Sequence, residues 1–242
     1  MLKPGATRFY KAVSTDPSPD APGRIRVLLD GRPLRTPMGG TLELPGAALA
    51  DAVADEWRAQ ADQIAPASMP MTQLAFTTID RIGKERPAIA ANIAKYAETD
   101  LLCHRADAPA DLAARQRGAW DPLLDWADET FGARLAVTLG VLPATQPADA
   151  VGRLGRAVAA LDDFGLAVVA VVVQATGSLV IGLALLDGRL DADAAVAASQ
   201  VDDAYQVEKW GADKEATDRL DALMREIREA ARFLALARAG AA

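Results

Sequence analysis

The stretch from Phe164 to Leu186 constrains this chain most. Its 23 residues include no Asp, Glu, Lys or Arg. Length and polarity would suit a membrane-spanning helix, which needs roughly 20 apolar residues. Three features argue for a protein interior instead. Gly177-Ser178 interrupts the run, and a serine there can cap a new helix. Gln174, Thr176 and Ser178 cluster at its middle, where lipid is least forgiving of polar groups. The flanks are Asp162, Asp163 and Asp187, with only Arg189 basic nearby. The run reads as two short helices buried on all sides.

A chain that hides two such helices needs a sizeable core around them. The length of 242 residues allows one large domain or two smaller ones, and 51% of the residues are hydrophobic. Alanine supplies much of that share and aromatics only 5%, which favours close-packed helices over an aromatic-rich sandwich. The net charge of −7 disfavours a nucleic-acid binder, because the phosphate backbone demands a basic face. It suits a soluble protein that meets a basic surface on a partner. Cys103 is the only cysteine, so no internal disulfide forms and a thiol-reducing compartment is expected. Met1-Leu2-Lys3-Pro4 and the residues after it contain no apolar signal segment or Arg/Ser-rich transit segment.

The N-terminal part reads as a small β-rich module. Arg8 to Thr15 and Arg24 to Leu29 are expected strands, separated by a loop in which Pro17, Pro19 and Pro22 forbid regular pairing. Asp30-Gly31 is a two-residue hairpin signal, and Thr41 to Leu44 a further short strand. Pro45-Gly46 opens a helix to about Gln60, and Ile64-Ala65-Pro66 breaks it. Pro70 starts a second helix, with Leu74, Ile79 and Ile82 inward. Pro87 sits in the first turn of a third. Asp111 to Thr130 is a long helix that Pro122 should kink or divide. Ala148 to Asp163 is another helix, and the last runs from Asp213 to about Arg238. Its stripe is Ala216, Leu220, Leu223, Ile227, Ala231 and Leu234. The expected division is a β-rich domain with its following helix over 1–65 and a helical domain over 66–242, the boundary falling between Pro45 and Pro87.

The segment before Glu208 reads as one helix. Ala194, Ala198, Val201 and Tyr205 step along one face, and the next step lands on Glu208. A carboxylate thus stands in phase with an apolar stripe. Trp210 comes next, Gly211 can end the helix, and Asp213 and Glu215 begin another, where negative charge suits the helix dipole. Two readings of Glu208 stay open. It is an acid at a helix end paired with a nearby arginine, or an acid held at a fixed angle on a helix-turn-helix corner beside an aromatic anchor.

Recognised catalytic and phosphate-binding motifs are missing. There is no glycine-rich phosphate loop, dinucleotide fingerprint or nucleophile elbow. His104 is the only histidine. Asp100 and His104 could share a helical face as metal ligands, but two ligands do not make a site. Cys103 reads as a small buried hydrophobe. Glu208 with Asp213 could serve as an acid/base pair in a soluble enzyme, which requires a concave pocket and a raised carboxylate pKa.

An ordered series of motifs resembles the ATP12 family. Gly31-Arg32-Pro33-Leu34-Arg35-Thr36-Pro37, Glu56-Trp57 with Gln60 and Ile64, and Met69-Pro70-Met71-Thr72 with Leu74-Ala75 and Ile79-Asp80 are similar to its N-terminal half. Thr99-Asp100-Leu101-Leu102-Cys103, Thr176-Gly177-Ser178-Leu179, and Tyr205-Gln206 followed by Glu208, Trp210-Gly211, Asp213 and Glu215 are similar to its C-terminal half. The series departs at His104, where an aromatic such as Tyr is expected. The resemblance implies an α+β fold, with a small N-terminal β-rich domain and a larger, mainly helical domain. It implies an assembly chaperone for the F1 sector of ATP synthase that binds the unassembled α subunit until it pairs with β. It implies no enzyme activity, cofactor, metal, small-molecule substrate, nucleic acid or stable membrane insertion. Glu208 and Asp213 match the family's acidic motif, and Trp210 and Glu215 complete the expected partner-binding set. A bacterial, cytoplasmic member is expected.

Overall fold

The computed structural model describes residues 5–140, 142 and 144–240. Met1 to Pro4, which bear on the expected absence of a targeting segment, and the last two alanines lie outside the described residues. The fold is α+β. Two compact units are present: one runs to Arg86 and takes in the chain again from Arg232, the other is Pro87–Ala231.

The first unit is built on strand pairing around a central strand. β1 (Val13–Pro17) pairs antiparallel with β2 (Arg24–Leu29), from Val13 opposite Leu29 to Pro17 opposite Ile25. β2 also pairs with β3 (Arg32–Pro33) and β4 (Glu43–Pro45). The β2–β3 turn has φ of 49° at Asp30 and 77° at Gly31, the left-handed pair that a tight hairpin requires. The Asp30 carboxylate accepts from the Ala12 and Lys11 amides, which holds its carboxyl below the usual range. β1 begins later than Arg8 and extends through Pro17. Upstream of it Thr7 bridges to Gln63, and the buried Tyr10 donates its hydroxyl to the Trp57 carbonyl at 2.6 Å. These contacts take the first half of the expected strand away from β2.

α1 (Gly46–Arg58) packs on β1 and β2 through Leu49, Val53 and Trp57. Its Glu56 supplies the missing cap of α2 (Pro70–Thr77), accepting from the amides of Met71 at 2.7 Å and Thr72 at 2.8 Å. A turn of π-helix, Thr78–Ile82, succeeds α2. The extra residue in such a turn shifts the helical face. Met71, Thr72, Ala75 and Phe76 are the buried set of α2, so Leu74, expected inward, is half-buried; within the π turn Ile79 is half-buried as well, and Ile82 is buried as expected. Asp80, also buried, accepts from the Thr36 hydroxyl and the Met38 amide and so fixes the β3–β4 connection.

α3 (Gly83–Ala94) breaks at Glu85, where φ is −116°, and Pro87 lies in the first turn beyond the break. In the second unit, β5 (His104–Arg105) pairs in parallel with β6 (Thr138–Leu139). α4 (Ala110–Phe131) is one continuous helix of 22 residues, so Pro122 does not divide it. Leu123, Leu124, Trp126 and Ala127, just after that proline, are buried, as is Trp120 before it. Burial of this face outweighs one lost helical hydrogen bond. α5 is Ala148–Ala160.

The uncharged run forms α6 (Asp163–Thr176) and α7 (Leu179–Asp187). Gly177 takes φ of 73° and Ser178 accepts from the Ile181 amide, ending one helix and capping the next. Every residue from Leu179 to Leu186 is buried. No helix among the described residues is long and apolar enough to cross a membrane. Gly182 explains how the pair packs closely, since a Cβ there would stand 2.7 Å from the Val173 side chain. Asp100 ties the start of α7 to the Leu101–Cys103 turn. Fully buried, it accepts from the amides of Leu102 at 3.1 Å and Val180 at 3.0 Å. Burial nonetheless pushes its carboxyl up from the usual range.

Candidate functional site

The helix expected before Glu208 is two helices. α8 is Ala192–Ser199 and α9 is Val201–Trp210, with Gln200 between them at φ −112°, ψ 22°. The Asp191 side chain caps α8 through the Ala194 amide. Trp120 of α4 donates its indole N–H to the Ala198 carbonyl at 2.7 Å, so the end of α8 is held from the core side. The break changes the facing of α9. Tyr205 is its one buried residue, and Glu208 is exposed despite its place in the apolar spacing.

One face of α9 is fastened to the first turns of α4. Tyr205 donates its hydroxyl to both carboxylate oxygens of Asp111, at 2.9 and 3.0 Å. Lys209 stands 3.4 Å from the same carboxylate. The Tyr205 hydroxyl and then the Lys209 ammonium hold the Asp111 carboxyl below the usual range. Arg115 grips Glu208 with both terminal nitrogens, at 2.5 and 3.0 Å, and lies over the Tyr205 ring. That hydrogen bonding holds the Glu208 carboxyl low. Gln116, buried, donates to Asp202 at 2.7 Å and accepts from the Ala106 amide.

Beyond this clamp the chain is open. Every residue from Gln206 to Glu215 is exposed, and Trp210 presents 77% of its surface. Gly211 leaves α9 at φ 87°, and Asp213 caps α10 (Lys214–Ala239) by accepting from the Ala216 amide at 2.7 Å. Glu215 pairs with Arg219 one turn on, at 3.1 Å. Of the four expected partner-binding residues, Glu208 is thus clamped to α4, Asp213 caps, Glu215 is paired along its own helix, and Trp210 rests in solvent. All four lie on one exposed corner made by the last turn of α9, the connection and the first turn of α10. Asp111, Arg115 and Gln116, which fix that corner, are not singled out by sequence. Asp111 and Arg115 are four apart, a spacing that looks like a self-contained surface pair.

An apolar groove adjoins the corner within the second unit. The opposite face of α9 gives it Asp203, Ala204 and Val207, and the first turns of α10 give it Ala216, Leu220 and Leu223. Its volume is about 550 Å³. Of the apolar stripe of α10, Ile227 and Leu234 are buried, Ala216, Leu223 and Ala231 are half-buried, and Leu220 is 40% exposed.

The low Glu208 carboxyl is the reverse of what a proton donor needs. Neither Glu208 nor Asp213 lines the groove. Among the described residues no group of three His, Cys, Asp or Glu could hold a metal. The Asp100 carboxylate, one of the two residues weighed as ligands, is taken up by backbone amides.

The family model described as ATP12 chaperone protein matches residues 7–128. The crystal structure of Atp12 from Paracoccus denitrificans superposes with a TM-score of 0.90 at 42% identity, covering 96% of this chain and 99% of that one. The structure of the Atu1473 protein from Agrobacterium tumefaciens gives 0.87 at 36% identity, covering 96% and 86%. The mitochondrial atp12 protein of Schizosaccharomyces pombe is 24% identical over 89% of this chain and 77% of its own length.

Proposed function

The chain belongs to the ATP12 chaperone family, and on that basis we propose that it assists assembly of the F1 sector of ATP synthase by binding the unassembled α subunit. It keeps that subunit from aggregating until it pairs with β. The action is non-enzymatic and bacterial cytoplasmic, and Glu208, Trp210, Asp213 and Glu215 form the contact. The observation that carries the reading is the exposed corner between α9 and α10, where a mostly solvent-exposed tryptophan shares one short stretch with Glu208, Asp213 and Glu215 on a backbone pinned to α4.

The physics of the task fits such a corner. An α subunit without its neighbours exposes surface that would otherwise be covered, and such surface self-associates. A chaperone must cover it and later let go. A contact of moderate area, anchored by one aromatic and guided by charge, has that reversibility. The clamp by Arg115, Tyr205 and Gln116 fixes the corner before the partner arrives, which lowers the ordering cost of binding.

The test is direct. Purified α subunit, diluted from denaturant with an equimolar amount of this protein, should show suppressed light scattering and co-elute with it in gel filtration. Unchanged aggregation, or preferential co-elution of the β subunit, would overturn the proposal.

A further inference from the structure

We infer that the groove between α9 and α10 receives an amphipathic helix of the client, with apolar residues on one face and lysines or arginines on its flanks. The inference rests on the chaperone reading above and names the kind of segment that is held.

The groove's walls are mainly apolar and its surroundings acidic. Ala204, Val207, Ala216, Leu220 and Leu223 supply the apolar walls, Asp203 stands among them, and Arg219, which also lines the groove, is paired with Glu215. Between Gln200 and Leu223 the chain carries seven acids against three bases, a net −4 out of −7 for the whole protein. Glu208, Glu215 and Asp218 are matched by Arg115, Arg219 and Lys214, and Lys209 faces Asp111. The local excess therefore lies with Asp202, Asp203, Asp213 and Asp221. A basic segment is complementary to that field, and an acidic one is repelled.

Shape argues for a helix. The α10 wall from Ala216 to Leu223 spans two turns, ~10 Å, and is answered by one turn of α9. An extended segment laid there would bury backbone N–H and C=O groups against Ala, Val and Leu, with no strand edge to pair them. A helix satisfies its own backbone and offers side chains at i, i+3, i+4 and i+7, the recurring way to fill a groove between helices. A volume of about 550 Å³ has room for several such side chains.

The probe is a fluorescein-labelled helical peptide of roughly four turns, with leucines on one face and lysines elsewhere, titrated by anisotropy with the full-length protein. Two controls test pattern and charge: one has the same residues in scrambled order, the other replaces lysine by glutamate. The lysine peptide should bind, and neither control should. Leu220→Asp and Val207→Asp, both at solvent-exposed positions, should each weaken binding by about tenfold or more without altering thermal unfolding. Equal binding of the scrambled or glutamate peptide, no effect of Leu220→Asp, or Leu220→Asp dissolving a dimer of this chain would overturn the inference. If the α subunit binds wild type and Leu220→Asp equally, the groove assignment fails while the chaperone reading stands. If the peptide result holds but the α subunit does not bind, the chaperone reading fails alone.

Discussion

Replacing Asp100 by alanine should be among the most damaging single changes outside the hydrophobic core. Its carboxylate is fully buried and accepts from the Leu102 and Val180 amides, joining two motifs that lie about eighty positions apart. Alanine leaves those N–H groups inside the protein with no acceptor. Each orphaned donor costs about 1–3 kcal/mol. Relief from burying a carboxylate offsets part of this, so the expected net loss is about 2–4 kcal/mol. That is a large part of a typical stability of about 5–15 kcal/mol. The Asp100→Asn change, which keeps one acceptor oxygen, should cost less. Burial raises the Asp100 carboxyl, so its contribution is largest below its unfolded pKa and declines as pH rises through the folded value. The Asp100→Asn penalty relative to wild type should therefore be smaller at pH 7 than at pH 4. Urea unfolding followed by circular dichroism at both pH values measures this. An Asp100→Ala protein within about 0.5 kcal/mol of wild type, below the usual cost of one orphaned donor, would refute the reasoning.

Three further outcomes are expected. Burial and the neighbouring Asp100 push the Cys103 thiol up to about 12, so a thiol reagent at pH 8 should label it only after denaturation; rapid labelling of the native protein contradicts this. Gly46 has φ of 76°, and a Cβ there would stand 2.2 Å from the Gly240 backbone, so Gly46→Ala should destabilise by about 2 kcal/mol or more in urea titration, and a neutral result would deny that approach. Asp111 and Glu208 have lowered carboxyl pKa values, so what they contribute is present above their unfolded pKa values and is lost as pH falls through the folded ones. Affinity for the α subunit should accordingly decline on acidification below about pH 4.5, provided circular dichroism shows the fold intact, and a flat profile there would count against an ionic contact.

The fold is legible wherever local chemistry decides. Ser178 capping α7, the left-handed pair Asp30-Gly31 and the cap by Asp213 are short-range events, and each can be read from a few neighbouring residues. Misreadings arise where a distant contact outbids local pattern. Tyr10 is held by the Trp57 carbonyl, so the first strand starts late. The π turn after α2 leaves Ile79 partly out of the core, and Leu74 sits beside the buried face of α2 instead of on it. Gln200 breaks the helix before Tyr205, whereas the pairing of Glu208 with an arginine is one of the two readings its position allows, only the partner, 93 positions away, being hidden. The corner itself is visible in sequence because a tryptophan, a glycine and several acids fall together. The clamp beneath it is not, since Asp111 and Arg115 carry no mark of their distant partners. The half-open stripe of α10 looks like core because spacing reports which face is apolar, not whether anything covers it.

The most direct test of the corner separates a charge that a partner reads from one that only pairs with Arg115. Affinity for the unassembled α subunit is measured for Glu208→Lys and for the exchanged pair Arg115→Glu with Glu208→Lys. The exchange restores an ion pair between α4 and α9 and leaves net charge unchanged, yet removes the carboxylate from its place beside Trp210. Both proteins should bind at least about tenfold more weakly than wild type. Full recovery in the exchanged pair would show that Glu208 serves α4 alone.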